Sequence, residues 1–276
     1  MIKIVTDSVA DIPEEYIEKY NLMVLPLSIN INNDSFLDGI DITPAEVCEY
    51  IQKGQTPKTS QIPGIQFYNA FEELTRNGDE VIAVTMSSQL SNTYNSAVMS
   101  AKALPDRKIA VLDSLGVSLG QGLQVIEAAR MAIAGQPINM ITDTIMMMRQ
   151  KMNYAIIIDS LDYVFKGGRI SKAQYIAGNL LRLNLVCSSD GTGRIKVADK
   201  FRGKEKSILQ WISKHISHLD LTNKTVGLNT ISNEKLLNEV KSLIQIYNPK
   251  EIIVSQIGST VACYSGPNAL GIFAME

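Results

Sequence analysis

The chain has 276 residues, of which 45% are hydrophobic, 20% charged and 6% aromatic, which excludes disordered, collagen-like and disulfide-scaffold classes. Its 26 Lys and Arg against 28 Asp and Glu leave a formal charge of -2, so no basic face is expected for a nucleic-acid backbone. No run approaches the ~18 apolar residues of a membrane span, the start does not read as a signal peptide, and the odd, scattered cysteines (Cys48, Cys187, Cys263) read as reduced thiols, so the expected setting is cytoplasmic.

The first half repeats one pattern three times: a short apolar run, a cluster of hydroxyl and acidic residues, then a helical stretch. The run at 2–5 predicts a strand, with Asp11 as the N-cap of the next helix and Pro13 in its first turn. Residues 23–31 predict a strand, 32–34 a turn, and Thr43 caps a helix that opens with Pro44. The proline- and glycine-rich stretch 53–64 predicts a loop that carries Thr59 and Ser60. Strands follow at 81–86 and 108–113; the first leads through Ser87, Ser88 and Ser91 to a helix ending near 103, the second through Ser114 and Ser118 to a helix ending near 134. Strands alternating with helices predict a parallel α/β domain over 1–150.

A helix with Met140, Met146, Met147, Met148 and Met152 leads out of that domain, and its methionines are expected to fill core gaps. Over 151–276 the pattern changes. It gives a strand at 154–159, a short helix ended by Gly167 and Gly168, a helix capped by Ser171, and a strand pair around Asp190–Gly193. A helix at 205–216, a strand at 225–230, a helix at 234–247 and strands at 251–257 and 269–275 follow. Hairpin-linked strands mixed with helices predict an α+β domain with a mainly antiparallel sheet.

Ligands of open α/β sheets sit beyond the carboxyl ends of the strands, where this chain places Thr6, Asp7 and Ser8, then Ser87, Ser88 and Ser91, then Asp113, Ser114 and Ser118. These clusters either cap their helices or converge on a small anion, such as a carboxylate or a phosphorylated ligand. Gly116–Gly120 matches G-x-S-x-G, which would make Ser118 the nucleophile of a serine hydrolase. That reading lacks an oxyanion segment, and the histidines, His215 and His218, fall on an amphipathic helix beside Trp211. They bring no third metal ligand, and neither Gly120–Gly122 nor Gly191–Gly193 completes a dinucleotide fingerprint, so no metal or cofactor is expected.

Taken together, VTDSVADIP (5–13), KTSQIP (58–63), SSQLSNTYNSA (87–97), VLDS with SLGQG (111–122), KGGRIS (166–171) and GSTVACYSGPNALGI (258–272) resemble the DegV family of bacterial lipid-binding proteins, over nearly the whole chain. The resemblance implies an α/β domain and an α+β domain enclosing a long-chain fatty acid such as palmitate. It implies a carrier rather than an enzyme, with Thr59 and Ser91 on the carboxylate and Ser60, Ser87, Ser88 and Asn92 shaping the loops. Asn92 and Asn268 stand where the family has glycine, and Tyr264 where it often has histidine. Arg169 and Arg202 match family arginines that lie near the lipid head in members working with a fatty acid kinase, the implied partner. Burying a sixteen-carbon tail is worth about 11 kcal/mol gross, so the tail supplies the affinity and the hydroxyls the orientation.

Overall fold

The computed structural model describes residues 1–178 and 183–275. Its first strands are short runs of branched apolar residues: β1 (Ile2–Asp7), β2 (Met23–Leu25), β6 (Glu80–Thr85) and β7 (Ile109–Asp113) form a parallel sheet in the order β2-β1-β6-β7. Val81 and Ala83 of β6 enter one core while Ile82 and Val84 enter another, so period-two alternation buries both faces and the strand reads as a continuous apolar run. Helices α3 (Gly64–Thr75) and α4 (Thr93–Lys102) pack together beside this sheet.

Helix α5 (Leu119–Ile133) is buried along most of its length, because it lies between the parallel sheet and a second one. That second sheet has six strands in the order β10-β9-β8-β13-β11-β12: β8 (Met152–Ile158), β9 (Asn184–Ser189), β10 (Ile195–Phe201), β11 (Thr225–Thr230), β12 (Glu251–Gln256) and β13 (Leu270–Met275). Its pairs are antiparallel except β11 with β12. Ala155 and Ile157 of β8 join the core under the amphipathic helices α9 (Glu205–Ile216) and α10 (Glu234–Gln245), whereas Tyr154, Ile156 and Ile158 face the other way. The fold is therefore α/β with an N-terminal parallel sheet and a C-terminal, mainly antiparallel one.

Several local expectations need correction. Asp11 caps no helix: α1 (Glu14–Tyr20) starts after Pro13, and Asp11 instead ends a 3-10 turn in the left-handed region at φ 48°. Residues 23–31 are two strands, because Pro26 has no N–H for a ladder; β2 stays in the parallel sheet and β3 (Ser28–Ile31) pairs with β4 (Asp34–Leu37) and β5 (Lys58–Ser60) in a three-stranded sheet. The predicted loop around Thr59 is thus partly strand. Three of the five methionines at 140–152, Met140, Met146 and Met147, are exposed; the core side of α6 (Ile138–Gln150) is Ile141, Ile145 and Met148. The Thr43 cap is present as a full capping box on α2 (Pro44–Gln52), and Ser171 caps α8 (Lys172–Gly178) through reciprocal bonds with Gln174. Among the described residues, no helix is long and apolar enough to cross a membrane.

Candidate functional site

A largely apolar cavity lies where the six-stranded sheet meets the loops of the first half, with about 880 Å³ of open space including its mouth. Met86, Leu90, Val117, Ile156, Ile158 and Val261 are among the aliphatic side chains of its wall. Thr59, Ser91, Arg169 and Tyr264 share the same wall.

Each of these four arrives on a different piece of chain. Thr59 sits in β5, held opposite Ile29 by the ladder to β3. Ser91 lies in the turn between β6 and α4; its N–H donates to the Ser87 carbonyl and its hydroxyl shares a 2.9 Å bond with Thr93. Tyr264 stands on α11 (Ser259–Ser265), a short helix packed against α2 and α7 (Asp162–Lys166), and Arg169 follows α7. The Thr59 and Tyr264 hydroxyls are 2.5 Å apart, and the Arg169 guanidinium lies 5.0 Å over the Tyr264 ring. Arg169 Nε donates to the Leu90 carbonyl at 3.0 Å, which ties the arginine to the Ser91 turn. Burial pushes the Tyr264 phenol above its ordinary pKa, so it stays a neutral donor.

A second clasp holds the cavity from the β9–β10 hairpin. Ser87 Oγ donates to the Gly193 carbonyl at 2.8 Å, and Arg194 Nε donates to Gln89 Oε1 at 2.9 Å. Gly193 has φ +96°, and a Cβ there would collide with the Ser87 hydroxyl. Sequence reasoning assigned Gly193 only to a turn and gave Arg194, Cys187 and Val261 no role at the cavity; the first two reach the wall through the β9–β10 strand pairing, and Val261 through its place on α11 with Tyr264.

The remaining expected residues are used differently. Ser60 Oγ accepts from Asn30, Ser88 N–H donates to Asp113, and Asn92 opens α4 at φ -81°, so no left-handed turn is required of it. Asn268 donates to Asp159. Arg202 lies on the exposed segment after β10 and is not one of the residues of the cavity wall. The three hydroxyl clusters do not converge on one rim. Thr6, Asp7 and Ser8 border a separate cleft with Asp11 and Asp38, Ser114 is fully buried and bonded to Gly116, and only the Ser91 turn reaches the apolar cavity.

Ser118 does have an elbow-like backbone at φ 59° and ψ -155°, yet its side chain is buried and donates to Asp11 at 2.5 Å while accepting from Asn229 at 2.8 Å. No imidazole meets it: His215 stacks on Trp211 and bonds Asn153, and His218 is exposed. In the separate cleft, burial pushes the Asp7 carboxyl up to about 6 and raises Asp11 and Asp38 as well, each burdened further by a neighbouring carboxylate or helped only by neutral donors.

Known proteins resemble this chain from end to end. The DegV family, described as uncharacterised proteins, matches residues 1–276. A DegV domain-containing protein of Caldanaerobacter subterraneus subsp. tengcongensis is 36% identical over 278 aligned positions, covering 100% of this chain and 99% of that protein. Among solved structures, a DegV family protein from Thermus thermophilus, described for fatty acid binding, superposes with a TM-score of 0.91 at 27% identity, over 100% of this chain and 99% of that one. A stearic-acid-binding protein from Eubacterium ventriosum superposes with a TM-score of 0.89 at 25% identity, over 100% and 98%. Matched over its full length by the family and by relatives of the same fold, the chain belongs to the DegV family.

Proposed function

We propose that this protein binds one long-chain fatty acid, with the carboxylate at Thr59 and Ser91 and the tail in the apolar cavity. The observation that carries the reading is the cavity itself: aliphatic walls meet a linked set of hydroxyls and a guanidinium, Thr59, Ser91, Tyr264 and Arg169, with a second guanidinium, Arg194, elsewhere on the wall. That pairing suits an amphiphile with one anionic end. The Thermus thermophilus and Eubacterium ventriosum relatives, described as binding fatty acids, support it. In this reading residues 1–150 supply the Thr59 and Ser91 loops, residues 151–276 cover the chain, and the protein is a cytoplasmic carrier rather than a catalyst.

Mass spectrometry of a denaturing extract of purified protein should release a long-chain fatty acid, and stripped protein should take up palmitate. A protein that comes out empty and stays empty refutes the reading. Thr59→Ala and Ser91→Ala should each weaken palmitate binding about tenfold, as expected for the loss of a hydrogen bond to a charged group.

The finer proposal is that the bound acid is presented to a fatty acid kinase, with Arg169 beside the head group and Arg202 as an exposed charge for the partner on the segment after β10. Acyl-phosphate formation by a cognate kinase should then fall when both become alanine; undiminished turnover removes that role.

A further inference from the structure

Within the fatty-acid reading, on which this inference rests, the cavity has a second end whose wall differs from the rest. The inward side chains of β8 are Tyr154, Ile156 and Ile158, which all line the cavity, and a strand rise of ~3.3 Å per residue sets the first and last ~13 Å apart. Ile158 belongs to the core that also contains Val164 of α7, and α7 packs against α11, which carries Tyr264, so Thr59, Tyr264 and Arg169 group with this end; Ser189, two residues beyond the Cys187 that pairs with Ile156, and Arg194 line the wall toward the β9–β10 hairpin. Tyr154 belongs to the other core, built on α5, and Ile156 touches both. The cavity wall therefore follows β8 between two cores, and Tyr154 is the lining residue of that strand at which the second core begins.

Tyr154 is also the most firmly fixed of the three. Gly116 and Gly120 lie so close to its ring that a Cβ on either would overlap it. Phe273 meets it edge-on at 5.8 Å and 85°, and Gln124 Nε2 lies 3.4 Å from its hydroxyl. Its side chain is 5% exposed. Aliphatic walls adjust to a guest by rotamer changes, whereas a planar ring locked by two glycines and an orthogonal phenyl does not.

We propose that Tyr154 is the end wall that sets the preferred acyl-chain length of this protein. Each further methylene buried adds about fourfold in affinity until the terminal methyl meets the ring, after which extra carbons must stay outside or force the chain to buckle. Val117, beside Gly116 on the same part of the wall, offers the opposite adjustment, since a larger side chain there brings the stop closer.

The test is a series of saturated acids from ten to twenty carbons, measured by displacement of a fluorescent fatty acid from stripped protein. Tyr154→Ala should move the optimum at least two carbons longer, changing the ratio of affinities across the old optimum by about tenfold. Val117→Phe should move it shorter by a similar step, and remains informative if Tyr154→Ala does not fold. Thr59→Ala should weaken all lengths by one factor, which marks the head end. An unchanged length ranking in a folded Tyr154→Ala or Val117→Phe overturns the end-wall role while leaving fatty acid binding intact. A wild type that binds no member of the series overturns the fatty-acid reading itself.

Discussion

At the scale of single residues, the site turns on the pairing of Thr59 with Tyr264. Both hydroxyls sit in a partly buried space beside Arg169, and the tyrosine supplies two separate interactions: an O–H at 2.5 Å from Thr59 and a ring face for the guanidinium. Tyr264→Phe removes the first and keeps the second. It should weaken palmitate binding about five- to tenfold, the cost of about 1 kcal/mol for one neutral hydrogen bond, while changing unfolding midpoints little; isothermal titration with urea unfolding of the same variant separates the two. Gly193→Ala should behave in the reverse way. It forces a side chain into φ +96° and against Ser87, so it should cost roughly 1–3 kcal/mol of stability in denaturant unfolding. Thr59, Ser91 and Tyr264 were reachable from the sequence because a family pattern carries them. Arg194 was not, since its role depends on the β9–β10 hairpin folding over the 87–91 turn, a contact between residues 105 positions apart.

At the scale of elements, the junction of β1, β4 and α11 is made by three buried carboxylates. Asp7 accepts from the Met86 and Val9 N–H groups, Asp11 from Gly258 N–H and the Ser118 hydroxyl, and Asp38 from Ser8 Oγ and Ser259 N–H. Asp11 and Asp38 thereby fasten the start of α11, the helix that carries Tyr264. Burial raises all three pKa values, so each binds its proton more tightly folded than unfolded, and the stability this gives is complete below the unfolded pKa near 3.8 and lost as pH rises through the folded value. For Asp7, from 3.8 to about 6, that amounts to about 3 kcal/mol. Urea unfolding should therefore show a more stable protein at pH 5 than at pH 7.5. Asp38→Asn, whose amide can donate to Ser8 Oγ, should flatten the slope and gain on the order of 1 kcal/mol at pH 7.5; a wild type with equal stability at both pH values contradicts this account. Helix boundaries with a chemical signal, such as Thr43 with Pro44, were legible in the sequence, although the Glu46 half of the capping box was not drawn from it. Asp11 carried the same kind of signal but serves the tertiary junction instead. Strands β4 and β5, four and three residues long, are too short for periodicity to show.

At the scale of the whole molecule, a 45% hydrophobic chain builds cores on both faces of each large sheet and still leaves space between two of them. The alternation that fills the cores was legible strand by strand, but the gap was not, because it arises from how two separately legible layers meet around α5. A space of this kind is stabilised by whatever fills it. Ligand that binds only the folded state contributes about 2.7 kcal/mol at a hundredfold excess over its dissociation constant, which for a chain of 276 residues raises the melting temperature by roughly 5 °C. If tail burial is the source of affinity, the shift must grow with the apolar length of the guest. At equal micromolar concentration palmitate should give most of that rise and octanoate almost none, because eight fewer methylenes remove about 6 kcal/mol of gross burial. Thermal unfolding of stripped protein with each acid measures the difference. Equal shifts from both acids would mean that the carboxylate end dominates and that the apolar cavity is not where the chain lies.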